Sequence, residues 1–325
     1  MKKMKSLLVS CVSLLSAMTI SAQTVSFTPN WKQGDKASYS FAQKEIKKSG
    51  TESATVEKTV VLNLKVVSKN ANGYVMNATF ENPVEKGSDE MSAALFKIND
   101  GLSFDYKLDA SGKLIGLADS AKTIADLKGL MEKVAKDNPS MGLVLQLVGS
   151  SMSDDMYLAG LLDEVGYVHS LNGLELTSKK TIDKNADKAT MFGFSVNAPY
   201  HYTLQSVNGN IVNVKSSAEI GNDLIMPAFI DFSIQMTLGM MNSLSSVLSK
   251  EGDEKVDMNQ ELQKQRAEIE KKFKETFDLK MVDNYTYSFD KSNQWVSSMN
   301  AKNTIKGKAN ENNVDVTIEI KMKKK

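Results

Sequence analysis

Cysteine is almost missing from this sequence: Cys11 is the only one in 325 residues. Beyond that N-terminal position no disulfide, thiol nucleophile or cysteine metal site is available, so the fold has to be held by its core. Arginine is nearly as scarce, since of 40 basic residues only Arg266 is an arginine. Bidentate clamping of phosphate or carboxylate is an arginine speciality, and anion recognition of that kind is not expected. The two histidines, His169 and His201, have neither a zinc-type spacing nor an acidic partner in helical register, and both read as structural or surface residues. A formal net charge of +1 gives no basic stripe for nucleic acid. There is no Gly-x-Ser-x-Gly elbow. The acidic stretch Lys250 to Asp257 lacks the stepped oxygen ligands and sixth-position glycine of a calcium loop. Catalysis is not expected, and no metal or cofactor is implied.

Long uncharged apolar runs are also few, and the first sits at the N-terminus. Lys2, Lys3 and Lys5 precede an uncharged stretch from Leu7 to Ile20, followed by Ser21-Ala22. Basic start, short apolar run and small residues make the pattern of a secretory signal peptide, too short to span a bilayer. Cleavage after Ala22 and a periplasmic or secreted location follow as expectations. A second reading takes Leu8 to Cys11 as a lipobox, which would make Cys11 a lipidated N-terminus.

Alternating strands with turn residues between them fill much of what remains. Phe104, Tyr106 and Leu108 run into Asp109, then Ala110-Ser111-Gly112, then Leu114-Ile115. Tyr285, Tyr287 and Phe289 run into Asp290, then Lys291-Ser292-Asn293, then Trp295-Val296. Asp caps such turns through its side chain, and Gly or Asn tolerates positive φ. A second echo pairs Val66 to Glu81 with Leu204 to Glu219, aligning Asn72-Gly73 with Asn208-Gly209 and Val75 with Ile211. Further strands are expected at Lys36 to Ile46 and Ala54 to Val67, joined by a loop from Lys47 to Ser53, at Lys188 to Val196, at Tyr200 to Val207 and at Asn312 to Lys323. The order of elements predicts an internal duplication: a first α+β repeat over 23–166 and a second over 167–325. The second carries about 45 extra residues, within about 220–284.

Helical periodicity breaks in at three places. Asp119 to Lys136 puts Ala121, Ile124, Leu127, Leu130, Met131 and Val134 on one stripe. Gly142 to Val165 and Asp257 to Phe277 also carry helical spacing. The most distinctive stretch is Met226 to Met241, MPAFIDFSIQMTLGMM, with no charge between Asp231 and Lys250. Thioether side chains repack around irregular partners and suit a pocket of low shape specificity; they are also ordinary core fillers. The expected ligand-contacting residues are Met226, Phe229, Met236, Met240, Met241, Leu244, Met131 and Met152. The segment is too polar for a transmembrane helix.

The signal-like start, Trp31-Lys-Gln-Gly-Asp35 before a long aromatic strand, and the hairpins Tyr106 to Gly112 and Tyr287 to Asn293 together resemble uncharacterised secreted proteins of Bacteroidetes, a domain-of-unknown-function family. That family brings no activity to carry over. At the level of fold the pattern also resembles the bacterial lipoprotein-carrier half-barrels.

The expected fold class is therefore α+β: long twisted antiparallel sheets from two duplicated halves, with apolar helices packed on the inner face. The expected function is non-catalytic binding of a hydrophobic or amphiphilic ligand, a lipid or acyl chain. The alternatives are an envelope or cell-surface protein that binds another protein or a glycan, and a hydrolase with an unrecognised site. Intact-mass measurement of the exported protein is expected to give a chain starting at Gln23; a lipidated Cys11 would show instead as a longer, acylated chain.

Overall fold

A computed structural model of the chain describes residues 23–137, 160–178, 180–191, 194–248, 270–309 and 312–325, with 142, 158, 266 and 268 besides. The signal-like segment, Met152, the stretch Lys250 to Asp257 and most of the helical readings at Gly142 to Val165 and Asp257 to Phe277 lie outside those residues. The strands are β1 (Thr24–Ser26), β2 (Lys36–Ser49), β3 (Glu52–Asn70), β4 (Gly73–Lys86), β5 (Ser103–Asp109), β6 (Leu114–Leu117), β7 (Glu175–Thr177), β8 (Thr181–Met191), β9 (Phe194–Asn208), β10 (Ile211–Ile220), β11 (Phe277–Asp290), β12 (Trp295–Ala309) and β13 (Asn312–Lys324). The helices are α1 (Glu90–Lys97), α2 (Ser120–Asp137), α3 (Asp163–His169) and α4 (Asn222–Leu248). The expected repeat boundary at 166/167 falls inside α3.

Alternation with period two builds the sheet. In β10 and β11 every second residue is buried, as in an antiparallel sheet with one dry face. Consecutive strands pair as two meanders, β2 to β6 and β8 to β13. Pairing of β13 with β2, from Asp315↔Lys48 to Lys324↔Tyr39, fuses them into one sheet of 11 strands, in the order β6-β5-β4-β3-β2-β13-β12-β11-β10-β9-β8. Strands β1 and β7 form a separate pair. Two boundaries differ from the sequence reading. The Lys47 to Ser53 loop is a tight turn at Gly50-Thr51, because the ladder between β2 and β3 continues to Ser49↔Glu52. The strand expected at Lys188 to Val196 is two strands, the end of β8 and the start of β9, paired through Met191↔Phe194.

The two meanders share their irregularities. Gly73↔Asp109 and Met76↔Tyr106 pair β4 with β5, as Ile211↔Asp290 and Val214↔Tyr287 pair β10 with β11. A bulge interrupts β3–β4 between Val66 and Ser68, and β9–β10 between Leu204 and Ser206. Another falls between Lys107 and Leu108, and between Ser288 and Phe289. In both Asp turns one carboxylate oxygen accepts from the serine two residues on: Ser111 N at 2.8 Å and Oγ at 2.6 Å on Asp109, Ser292 N at 2.8 Å and Oγ at 2.6 Å on Asp290. The other hairpins close through Asn70↔Gly73 and Asn208↔Ile211, so their loops are Ala71-Asn72 and Gly209-Asn210. The alignment of Val75 with Ile211 was therefore two residues out of register. Faces alternate every two residues, so the slip kept inward residues inward.

The segment between β1 and β2 crosses this sheet and gathers its aromatics. Trp31 stacks on Trp295 of β12, with centroids 4.0 Å apart, and meets Tyr74 of β4 at 5.5 Å and His169 of α3 at 5.6 Å. Tyr106 of β5 reaches His169 Nε2 at 2.8 Å. Side chains stand roughly perpendicular to a sheet, so rings from β4, β5 and β12 converge only if the sheet curls toward them. Helices α1, α3 and α4 pack on this concave face.

Two glycines sit where strands approach closely. A Cβ on Gly73 (φ +136°) would lie 2.1 Å from the Leu108 carbonyl oxygen, and one on Gly307 (φ +144°) 1.8 Å from that of Asp278. Gly73→Ala and Gly307→Ala are each expected to lower the unfolding free energy by about 2–4 kcal/mol, read from urea midpoints. Gly50→Ala, at φ +59° with open space around it, should cost about 1 kcal/mol.

Candidate functional site on the concave face

Register places the inward residues of five strands in rows. Tyr287, Met299, Met322, Phe41 and Val60 form one row across β11, β12, β13, β2 and β3. All five are buried. Along the strands the next row is Tyr285, Ala301, Ile320, Gln43 and Lys58, and the one after is Asp283, Asn303, Ile318, Glu45 and Val56. Here Gln43, Lys58, Ile318, Glu45 and Val56 are only half-buried. The floor thus passes from a dry aromatic core into a half-open surface of aliphatic side chains flanked by polar ones. Lys58 is held at its rim by Glu85 at 3.2 Å and by the Phe96 ring of α1 at 5.2 Å.

Asp283 is the exceptional residue on this floor. It is fully buried, at 0 % exposure. The Tyr200 hydroxyl of β9 donates to its Oδ2, and the Tyr285 hydroxyl lies 3.4 Å from the same oxygen. Asn303, directly opposite on β12, donates from Nδ2 to the Tyr285 oxygen at 3.1 Å. These bonds leave Asp283 Oδ1 and Asn303 Oδ1 buried without partners, as is Ser216 Oγ on β10. Tyr167 of α3 lies over Tyr285, with ring centroids 6.1 Å apart. Burial pushes the Asp283 carboxyl up to about 6, against the pull of its tyrosine donors. Sequence reasoning passed over Asp283, although alternation through Met281, Asp283, Tyr285 and Tyr287 puts it on the dry face.

Helix α4 packs on β9 and β11, the strands that carry Tyr200 and Asp283. It starts where Asn222 bridges to Phe277 O and Leu279 N, at 3.0 and 3.3 Å. Ile225 enters the main core, with Ala228, Phe229 and Phe232 packed against it, while Met226, Ile230 and Ile234 form a small cluster apart, with Leu238, Phe273 and Phe277 around it. The lone arginine ties it to the returning chain: Arg266 Nη1 is 2.6 Å from Asp231 Oδ1, and its Nε 3.1 Å from Glu270 Oε1. Of the expected contact residues, Met226 fills this small cluster and Met131 on α2 fills the main core. Phe229 packs on the core and on Phe273 at 5.3 Å, and Met236 is half-buried. Met152 and the side chains of Met240, Met241 and Leu244 lie outside the described residues. Phe277, expected to end a helix, begins β11.

Both histidines have partners that spacing could not reveal. His169 is buried, with Asn172 Nδ2 donating to Nδ1 at 3.0 Å. Its proton therefore sits on Nε2, toward the Tyr106 hydroxyl, and burial pushes its pKa down to about 3. His201 is exposed and pairs across the β8–β9 ladder with Asp183 at 2.7 Å. A cleft of about 800 Å³ lies elsewhere, between β4–β5 and α2, lined by Asn77, Ser103, Asp105, Asp119, Lys122 and Asp126 among others. Leu102, Phe104 and Leu130 also line it, and it shares no residue with the Met-rich helix. Among the described residues no acidic or histidine cluster is arranged to hold a metal, and no helix is long and apolar enough to cross a membrane.

No protein-family model matches the chain, and no curated sequence is significantly similar to it. A solved structure from work on lipid–protein interactions in lipovitellin superimposes on 91% of this chain and 25% of its own, at 10% identity and a TM-score of 0.38. This chain thus spans about a quarter of that one, and a likeness so loose does not fix a shared fold.

Asp283 binds its proton more tightly folded than unfolded, so between about pH 6 and pH 4 the native state holds more protons. Its contribution to stability therefore falls as pH rises through that window. Removing the charge should show this: Asp283→Asn is expected to be more stable than the parent by about 2 kcal/mol near neutrality. The difference should close by about pH 4, as followed by urea unfolding across pH.

Proposed function

We propose that this is an exported, non-catalytic binding protein for a hydrophobic or amphiphilic molecule, held between the concave sheet face and α4. One observation carries the reading. Among its described side chains, α4 is apolar on nearly every side; it buries Ile225 in the main core and Met226, Ile230 and Ile234 in the small cluster, and leaves Phe229, Phe232, Met236 and Leu238 half-buried. A helix apolar all round is normally covered all round. The half-open aliphatic floor of Ile318 and Val56 lies on the same concave side of the sheet. An acyl chain covering about 300 Å² of this surface would gain about 7 kcal/mol before the entropy of binding is subtracted, so no charged clamp is needed for the tail. Export rests on the basic, apolar and small-residue pattern of residues 1–22.

The same reading takes the two meanders as copies of one unit. Its support is the shared register of β4–β5 and β10–β11, the matched bulges and the twin Asp-Ser turns. Each meander makes its helical excursion between its third and fourth strands, α1 in the first and α4 in the second. The apolar helix is then what the second copy has and the first lacks.

Protein isolated from cells and sprayed under native conditions is expected to carry extra mass that organic extraction removes. Phe232→Glu combined with Leu238→Glu should lose it while keeping the far-UV circular dichroism of the parent. A parent chain that carries no such mass and takes up no dodecanol on titration would end this reading; a constant protein partner in its place would favour an envelope-binding role.

A further inference from the structure

We infer that the Asp283–Asn303 pair anchors the polar end of the bound molecule, and that this end is a primary ammonium group. The inference deepens the binding function proposed above and rests on it. Asp283 and Asn303 face each other across β11 and β12, so their Cβ atoms lie about 5 Å apart. Both are more than nine-tenths buried, and each keeps one oxygen with no partner, Oδ1 in both cases. The donors nearby are spent elsewhere: the Tyr200 and Tyr285 hydroxyls turn to Asp283 Oδ2, and the Asn303 amide turns to Tyr285. Among the described residues the one buried hydroxyl without a partner is Ser216 Oγ, opposite Tyr285 on β10; it brings a single donor and accepts as well, so acceptors stay in excess, which an ammonium with three donors meets.

Charge points the same way. Leaving a buried carboxylate oxygen unpaired is costly, and a cation beside it relieves that cost where an alcohol does so only in part. Each group around the pair rules out an anion. Tyr167, Asp163 and Glu164 come from α3, and Tyr200, Tyr285 and Tyr287 from the sheet; none is a cation. The nearest floor cation is Lys58, two strands beyond Ile318 and occupied by Glu85. One strand from Asn303 the half-buried Ile318 belongs to the aliphatic floor, where the tail of the same molecule would lie.

The test is a calorimetric titration of the delipidated full chain with dodecylamine, dodecanol and laurate at neutral pH, for the parent and for Asp283→Asn. The expected order is amine above alcohol above carboxylate, with the amine ahead of the alcohol by roughly tenfold. Asp283→Asn should erase that lead, bringing amine and alcohol to within about twofold of each other, while a far-UV circular dichroism spectrum matching the parent shows that the variant is folded. Laurate binding as tightly as the amine, or an amine preference that survives Asp283→Asn, overturns the anchor but leaves the hydrophobic-ligand reading intact. So does a variant that is merely more stable with an unchanged order of affinities, which would make Asp283 a neutral acid bonded to Asn303. Failure of all three probes to bind overturns both.

Discussion

Everything in this molecule follows from the need to dry one face of a very wide sheet. Eleven strands present more apolar surface than the four described helices can cover if the sheet lies flat. The sheet therefore curls, and its own side chains meet across the concavity. Trp31 shows how: one ring from a connecting segment receives Trp295 from β12, Tyr74 from β4 and His169 from α3. The backbone of that segment is pinned on both sides, by the Tyr74 hydroxyl on Pro29 O at 2.8 Å and by Gln294 on the Asn30 amide. Lacking disulfides, the chain uses this aromatic knot to hold distant strands together.

The curl also divides the concave face into two chemical zones. Near the knot the inward rows are aromatic and closed. Farther along the same strands they become aliphatic and half-open, and polar residues appear on inward positions that the alternation would reserve for hydrophobes. Asp283 marks the border. A carboxylate there does nothing for stability that an asparagine would not do better, since burial works against its charge. The ammonium anchor proposed above would account for a carboxylate in that place.

Much of this could be read from residues alone. Alternation after Asn208-Gly209 announced β10, and Tyr285, Tyr287 and Phe289 announced the second half of β11, whose first half falls in the segment expected as an insertion; the Asp turns did what Asp-x-Ser turns do. The reading failed where the cue was missing. The outer halves of β2 and β3 are charged and exposed on both faces, so Lys47 to Ser53 looked like loop; only their neighbours' backbone ladders hold them extended. Lys188 to Val196 alternated across the boundary between β8 and β9, where the sequence has no Pro or Asn-Gly marker. Met226 and Met131 are filler in two separate cores, while the half-open surface owes as much to Phe229, Phe232, Ile318 and Val56. Asp283 was legible in principle, because a charge in phase with buried aromatics is a signal in itself, and it needed the strand register to say which neighbours it lacks.

Strand β13 lies in the middle of the sheet, between β2 and β12, yet the ribosome makes it after every other described strand. Until it emerges, β2 remains an open border. Lysines at 36, 44, 47 and 48 stud that border, and such charges discourage unwanted partners. Contacts between segments so far apart in sequence form slowly. The sheet therefore closes only once its last described strand has been made, and the two meanders stay unjoined for most of the synthesis.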